Sequence, residues 1–312
     1  MPEILTVTMN PAVDVSTSVD RIEPVRKLRC RAERREAGGG GINVARVVHR
    51  LGGDVLAAYL AGGVVGEQLK KLVAREGVAD LVIPISEETR ESFTVTDETT
   101  KDEFRFVMPG PTLTDAEWRA ALEMIEKVAE GERYLVVSGG LPGGAPADFH
   151  GHLGRLAKRT GARFVVDASG PQLKAALEAG VYLAKPNLRE LQDIVAGDLG
   201  DRSAQVRACR DLIEAGKAEI LALTLGSSGA VLVTRDQAWF SEPLQVKVVG
   251  TVGAGDSFLG ALLWSLSKSL GLDNALRNAV AAGSAALLTE GTQLASAEAI
   301  RRLAGQVRLQ SL

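Results

Sequence analysis

Thr251-Val252-Gly253-Ala254-Gly255-Asp256-Ser257-Phe258 runs into an apolar-periodic stretch through Leu259, Leu262, Leu263 and Leu266. That spacing predicts a helix. Gly253, Ala254 and Gly255 then lie at its N-terminal end, where backbone N–H groups lack intrahelical partners and the dipole is positive. Such an end binds anions, phosphate above all. Asp256 stands where a bound phosphate and an incoming hydroxyl would meet. The combination points to phosphoryl transfer, with Asp256 as base or orienting group. A plain tight turn before a helix accounts for the same residues, so the reading depends on their companions.

A second glycine run, Gly38-Gly39-Gly40-Gly41-Ile42-Asn43-Val44-Ala45, precedes another predicted helix. Its glycines predict close approach of a ligand to the backbone. Asn43, on the first turn, can donate and accept toward a polyol. No Gly-Lys-Ser/Thr follows, and the third glycine of G-x-G-x-x-G is absent. The run is therefore neither a Walker A loop nor a dinucleotide fingerprint. Asp14, after Asn10-Pro11, reads either as a carboxylate for sugar hydroxyls or as a turn residue.

Ala184-Lys185-Pro186-Asn187-Leu188-Arg189-Glu190 ends a strand and opens a helix. Asn187 and Glu190, three apart, share a helix face. They suit a hydrated Mg²⁺ or, equally, a capping box. Thr224-Leu225-Gly226-Ser227-Ser228-Gly229 joins two candidate strands and reads as a phosphate or ribose cradle or as a hairpin turn. Lys27, Arg29, Arg90 and Arg105 lie on polar segments and could fork onto phosphate.

Composition bounds the rest. The chain has 312 residues, 46% hydrophobic but only 4% aromatic, so Ala, Val and Leu must fill its core. A net charge of -3 argues against a nucleic-acid or polyanionic-membrane surface. No apolar stretch is long enough for a membrane span, and the N-terminus lacks a signal-peptide pattern, so a cytoplasmic location is expected. Cys30 and Cys209 form no C-x-x-C and read as ordinary packing. His150-x-His152 lacks further ligands and reads as a solvated helix start rather than a metal site.

Strands are predicted at Ile4–Thr8, Val55–Leu60, Tyr134–Ser138, Arg163–Asp167, Tyr182–Lys185 and Ile220–Thr224. Helices are predicted at Ile42–Leu51, Glu67–Glu76, Asp115–Ala129, Ala147–Thr160, Gln172–Glu178, Leu188–Val195 and Ala204–Ala215. The alternation implies an α/β fold with a mostly parallel sheet covered on both faces. Asp14–Val19 with Arg29–Glu36, and Ser92–Thr96 with Glu103–Val107, alternate polar and apolar residues. They read as antiparallel pairs in a small projecting sheet, whose apolar face needs a cover: a closed ligand site or a second copy. After Ala238-Trp239-Phe240 the chain reads as almost wholly helical, with helices at Asn274–Thr289 and Ala297–Val307. Residues 1–312 read as one domain, with lid strands from about 14–36 and 90–107.

GGGGINVAR (Gly38–Arg46), KPN-x-x-E (Lys185–Glu190) and TVGAGDSF (Thr251–Phe258), in this order and spacing, resemble the ribokinase-like (PfkB) sugar kinase family. The resemblance spans essentially the whole chain. Lys27-Leu28-Arg29-Cys30 and Phe104-Arg105-Phe106-Val107-Met108-Pro109-Gly110 look most like the minor-type ATP-dependent 6-phosphofructokinases within it; 1-phosphofructokinase and tagatose-6-phosphate kinase share the same catalytic pieces.

The resemblance implies a ribokinase-like three-layer sandwich and a set of roles. Asp256 takes the proton from the C1 hydroxyl of fructose 6-phosphate, and Gly253, Ala254 and Gly255 present amides to the transferring phosphoryl group. Asp14, Gly39, Gly40 and Asn43 hold the sugar; Lys27, Arg29, Arg90 and Arg105 are candidates for its phosphate. Lys185, Asn187, Thr224, Gly226 and Gly229 line the ATP side. Asn187 and Glu190 organise Mg²⁺ largely through water, and carbonyls near Gly250, Val252, Ala286 and Gly291 are candidates for K⁺. The lid sheet pairs with that of a second subunit in a homodimer. Relatives usually read Ser-Gly-Ser-Leu-Pro where this chain has Ser138-Gly139-Gly140-Leu141-Pro142, so Gly140 lacks a hydroxyl near the substrate's phosphate. The helix dipole is expected to favour charged Asp256, making it a weak base that orients the hydroxyl. The rivals are a relative acting on a neutral alcohol and a non-catalytic sugar-phosphate-binding protein.

Overall fold

The computed structural model describes residues 2–131, 133–289, 291 and 293–312. In chain order the first elements are β1 (Ile4–Thr8), β2 (Ala12–Val19), β3 (Arg34–Gly38), α1 (Gly40–Arg50), β4 (Val55–Ala61), α2 (Gly63–Arg75) and β5 (Ala79–Pro84). Then come β6 (Arg90–Asp97), β7 (Glu103–Val107), α3 (Asp115–Val128), β8 (Tyr134–Ser138), α4 (Phe149–Thr160), β9 (Arg163–Asp167), α5 (Gly170–Ala179) and β10 (Val181–Ala184). The rest are α6 (Leu188–Gln192), α7 (Arg202–Glu214), β11 (Ala218–Thr224), β12 (Ala230–Val233), β13 (Ala238–Ser241), α8 (Ala254–Ser267), α9 (Leu272–Ala286), α10 (Ala297–Ala304) and β14 (Leu309–Ser311).

The large sheet has the order β14-β13-β12-β11-β10-β9-β8-β1-β4-β5. From β11 to β5 it is parallel; β12, β13 and β14 add antiparallel strands at one edge. All five residues of β1 are buried, which is why Ile-Leu-Thr-Val-Thr carries no alternation. Its side chains feed two cores. Ile4 packs with Val44, Leu259 and Leu262 on one face; Leu5 and Val7 pack with Ile125, Phe149 and Leu153 on the other. Helices thus cover both faces, and the fold is a three-layer α/β sandwich of ribokinase type.

The predicted helices and parallel strands all form, with ends shifted by a few residues. One strand lies outside the expected set, and two expectations about elements fail. Ala79–Pro84 supplies the β5 edge. The C-terminal region is not wholly helical, because Leu309–Ser311 pairs with β13. The predicted strand over Arg29–Glu36 shrinks to Arg34–Gly38, leaving residues 20–33 irregular and largely exposed.

The small sheet has the order β3-β2-β6-β7. The two antiparallel pairs occur as expected, and a parallel pairing of β2 with β6 joins them. Val13 and Val15 sink into the core beside Val44 and Leu69. Phe104, Phe106, Val107 and Met108 at the β7 side are exposed.

His150 is fully buried, not a solvated helix start, and burial pushes its imidazole down to about 4. Cys209 is buried as expected, whereas Cys30 is exposed in the 20–33 connection.

Candidate active site

The strand order reverses between β1 and β8, and in α/β sheets the crevice beside such a reversal accepts ligands. Two helices start there. Gly39 caps α1 with φ 119, a conformation favouring glycine. A Cβ on Gly40 would stand 2.2 Å from Ser138 Oγ, and one on Gly41 would stand 2.5 Å from Thr8 Oγ1. One on Gly38 would meet Asp14 Oδ2 at 2.3 Å. The glycine run therefore lets the helix start lie against β1, β2 and β8. It serves close protein packing as well.

The second helix is α8. Gly253 caps it in the left-handed region with φ 76, and among the described residues no side chain caps its first amides. The N–H groups of Ala254, Gly255 and Asp256 precede the first intrahelical bond, Ser257 N to Gly253 O. A donor cradle for an anion results. The two helix starts are linked, because Asn43 Nδ2 donates to Asp256 Oδ2 at 2.9 Å.

The electrostatics differ from expectation. Burial pushes the Asp256 carboxyl up to about 6. The nearby Asp167 charge adds to the rise, while the Asn43 hydrogen bond and Lys185 oppose it. Desolvation outweighs the stabilisation expected from the helix end. Asp14 is likewise pushed up to about 6 by burial, against the pull of Arg105 and Arg90. Lys185 is buried and pairs with Asp167, Nζ to Oδ1, at 2.9 Å. Although burial opposes its charge, the Asp167 partnership keeps its pKa above the ordinary value. A Cβ on Gly255 would lie 3.5 Å from Lys185 Nζ, so this ammonium stands beside the α8 start.

Register places Asp14, Arg90 and Arg105 on one face of the small sheet. Arg90 does not point freely into the cleft: its Nη2 donates to Asn10 O at 3.0 Å and its Nη1 to Met108 O at 3.2 Å. Arg105 is exposed. Lys27 and Arg29 are exposed in the irregular 20–33 connection, and no strand register aims them at Asp14. Ser16, Arg34 and Glu103 of the lid segments line a cavity of about 520 Å³ together with Val249 and Gly291. Gly140 has open space around its Cβ direction.

On the other side of Lys185, Asn187 and Glu190 form a full capping box. Asn187 Oδ1 accepts from Glu190 N at 2.9 Å, and Glu190 Oε2 accepts from Asn187 N at 2.8 Å. Thr224 N and Oγ1 both turn to Pro186 O, tying the end of β11 to this loop. Gly226 opens a single 3₁₀ turn and faces open space. Gly229 is required for packing, since a Cβ there would lie 2.0 Å from Ser241 O.

Among the described residues, no group of three or more His, Cys, Asp and Glu could cage a metal ion. The donor set fits a cation held mainly by water and phosphate, the habit of Mg²⁺. Glu190 keeps one carboxylate oxygen outside the capping box, and burial raises its pKa with Asp167 adding to the rise. Of the carbonyls considered for K⁺, that of Ala286 already accepts from Thr289 N and Thr289 Oγ1. Gly250 and Gly291 lie in adjoining segments, tied by Val249 N to Leu287 O at 2.7 Å.

No local pattern in the sequence marks Asp167, Ser138 or Arg46 as part of the site. Asp167 ends β9 without any glycine or spacing signal. Only the parallel register β8-β9-β10 brings it between Ser138 and Lys185. Arg46 stood in the quoted GGGGINVAR stretch, but its burial could not be read there. A further cavity, about 960 Å³, opens at the opposite end of the sheet between Lys158, Arg163, Tyr182 and Arg235; it holds none of the site residues.

An α/β sandwich with an open α8 helix start beside a buried carboxylate fits a phosphotransferase. The profile of the pfkB family carbohydrate kinase matches residues 7–299, and the chain belongs to that family. It is 41% identical over 301 residues to the ATP-dependent 6-phosphofructokinase isozyme 2 of Mycobacterium tuberculosis, covering 96% of this chain and 88% of that one. The phosphofructokinase-2 of Escherichia coli in complex with fructose-6-phosphate is similar at TM-score 0.92 and 37% identity, with 98% of this chain and 99% of that chain covered. The same enzyme in complex with potassium is similar at TM-score 0.93 and 38% identity over the same shares. No helix among the described residues is long and apolar enough to cross a membrane.

Proposed function

We propose that this carbohydrate kinase transfers the γ-phosphoryl group of ATP to the C1 hydroxyl of fructose 6-phosphate, giving fructose 1,6-bisphosphate. The observation that carries the reading is the Asn43–Asp256 bond at the junction of the two helix starts. It fixes a carboxylate that stands in the first turn of α8 beside the open amides, which suits an acceptor hydroxyl meeting a phosphoryl group there.

In this reading Asp14, Gly39, Gly40 and Asn43 hold the sugar. Arg90 and Arg105 lend positive field to its phosphate side, with Lys27 and Arg29 as further phosphate contacts, and Gly140 offers backbone in place of the usual hydroxyl. Asp256 orients the C1 hydroxyl and accepts its proton. A carboxylate with a pKa of about 6 is a better base than an ordinary aspartate and is still mostly ionised at neutral pH. The Gly253, Ala254 and Gly255 segment neutralises charge that grows on the transferring oxygens. Lys185 adds a point charge, and Asn187, Thr224, Gly226 and Gly229 line the nucleotide side.

Mg²⁺, bound with ATP, supplies charge neutralisation at the phosphates; Asn187 and Glu190 are the residues that would hold its water shell. For K⁺ the carbonyls of Gly250, Val252 and Gly291 are the better ligands, because that of Ala286 is engaged. Residues 1–312 act as one domain whose lid sheet, with Phe104 and Phe106 exposed, pairs with a second copy in a homodimer. A cytoplasmic location goes with this activity.

The test is ADP release with Mg²⁺-ATP and a panel of fructose 6-phosphate, fructose 1-phosphate, tagatose 6-phosphate, fructose, ribose and adenosine. A large kcat/KM preference for fructose 6-phosphate supports the reading. Preference for another sugar phosphate moves the substrate and keeps the mechanism. Tight binding without turnover would replace the enzyme with a sugar-phosphate-binding protein.

A further inference from the structure

We propose that Arg46 is a positioning residue for catalysis: it fixes the Asn43 amide with its oxygen inward and its nitrogen on Asp256, and so aims the Asp256 carboxylate. This rests on the reading of Asp256 as the group that meets the acceptor hydroxyl. Arg46 itself touches neither substrate nor phosphoryl group.

Three observations carry the inference. First, Arg46 Nη1 lies 3.3 Å from Asn43 Oδ1 and 3.0 Å from Ala37 O. A guanidinium has donors only and a carboxylate acceptors only. Between them, an amide has one good orientation. Turned over, its NH₂ would face Arg46 and its oxygen would face Asp256, wrong at both ends. Arg46 thus selects the rotamer that donates to Asp256 at 2.9 Å.

Second, Arg46 is itself held. Its Nη2 donates to Glu76 Oε1 at 2.7 Å, with Glu36 at 3.6 Å. Glu76 is gripped in turn by Arg50 at 2.9 Å, and Arg50 Nη1 donates to Leu294 O at 2.9 Å. Burial works against the Glu76 charge, but the two guanidiniums hold its carboxyl below the ordinary value. A polar chain therefore runs from the 294–295 loop through α2 and α1 to the start of α8.

Third, the arrangement is a poor way to gain stability. Arg46 is 1% exposed, and its Nε has no hydrogen-bond partner among the described residues. A buried ion pair with an unsatisfied donor is seldom better for packing than an apolar side chain of similar volume. Orienting Asn43 is what an apolar residue there could not do.

The experiment is a double-mutant cycle on steady-state rates with Arg46→Lys and Asn43→Ala. Lysine keeps a charge for Glu76 but loses the fork that reaches Asn43. The expected result is a drop in kcat of roughly 10-fold or more for R46K, since small misplacements of reacting groups cost that much. The KM for ATP should stay within about 2-fold, because Asn43 serves the sugar and Asp256 rather than the nucleotide. The double variant should be no slower than N43A alone, since Arg46 acts through Asn43. Unchanged kcat in R46K, or losses that multiply, would overturn the proposal. If R46K does not fold by circular dichroism and urea titration, Glu76→Gln loosens Arg46 without removing it and enters the same cycle.

The proposal and the function can fail separately. If the wild-type protein turns over no sugar phosphate, the function reading fails. Hydrogen exchange of the Asn43 side-chain amide, followed by ¹⁵N NMR, then still tests Arg46. Protection in the wild type that is lost in R46K supports it; equal exchange in both overturns it.

Discussion

Asn43 and Asp256 stand 213 positions apart in the chain and meet at 2.9 Å, amide nitrogen to carboxylate oxygen. One comes from the first turn of α1, the other from the first turn of α8. The bond holds together the two helix starts that face the cleft.

Replacing Asp256 by Asn keeps an acceptor for Asn43 and removes the proposed base. Its kcat is expected to fall by about 100-fold or more, the usual contribution of a positioned base. Near-full activity in the purified variant would reject Asp256 as the base. The same variant should be more stable than wild type at pH 8, by roughly 1–3 kcal/mol, since a buried carboxylate no longer has to ionise. Urea unfolding checks this.

The pH dependence has a definite sign. Asp14 and Asp256 sit at about 6 in the folded chain, against an ordinary 3.8. Between these values the native state holds protons that the unfolded state has released. Stability from these two groups therefore falls as pH rises from about 4 to about 6, then stays level. Comparing urea midpoints of wild type and D14N/D256N should show a gap that opens across that window; a gap independent of pH would contradict it. Activity runs the other way, with kcat/KM declining below about pH 6 as Asp256 takes up its proton.

Gly40→Ala should destabilise by about 1–3 kcal/mol, the usual range for overpacking. Its Cβ would lie 2.2 Å from Ser138 Oγ and 3.0 Å from Ser138 backbone. Adding Ser138→Ala should recover only part of the loss, since that side chain's Cβ and the backbone still crowd the site. Complete recovery in thermal unfolding would mean that the hydroxyl alone forbids a side chain at position 40.

Gly140→Ser introduces the side chain that the family resemblance leads one to expect at this place. Among the described residues other than its chain neighbours, none has a heavy atom within 4 Å of its Cβ position. The variant should fold with unchanged melting temperature, and its KM for fructose 6-phosphate should fall by a few-fold as a hydroxyl is added to the phosphate side. A higher KM would show that the wild-type site uses the open space itself.

Asn187→Ala removes one half of the α6 capping box and should cost about 1 kcal/mol of stability. It should also raise the Mg²⁺ concentration needed for half-maximal rate. Stability loss with an unchanged Mg²⁺ requirement would assign Asn187 to capping alone.

Much of this protein was legible in its sequence, for local reasons. The 3.6-residue apolar period of Phe258 to Leu266 defined α8, and Gly253 before it marked a helix start with open amides. The alternation of short apolar strands with helices defined the parallel sheet. Asn187 and Glu190, three apart, already spelled a capping box. Each is a property of a few neighbouring residues, so spacing suffices to read it. What tertiary structure alone decided depends on distance through space. Asp167 enters the site because β9 pairs between β8 and β10. Arg46 became a buried cation because α2 brings Glu76 to it. Asp256 is pushed up to about 6 because burial and Asp167 outweigh Asn43 and Lys185. Desolvation and charge coupling act across elements far apart in the chain, so no local pattern of residues could announce their balance.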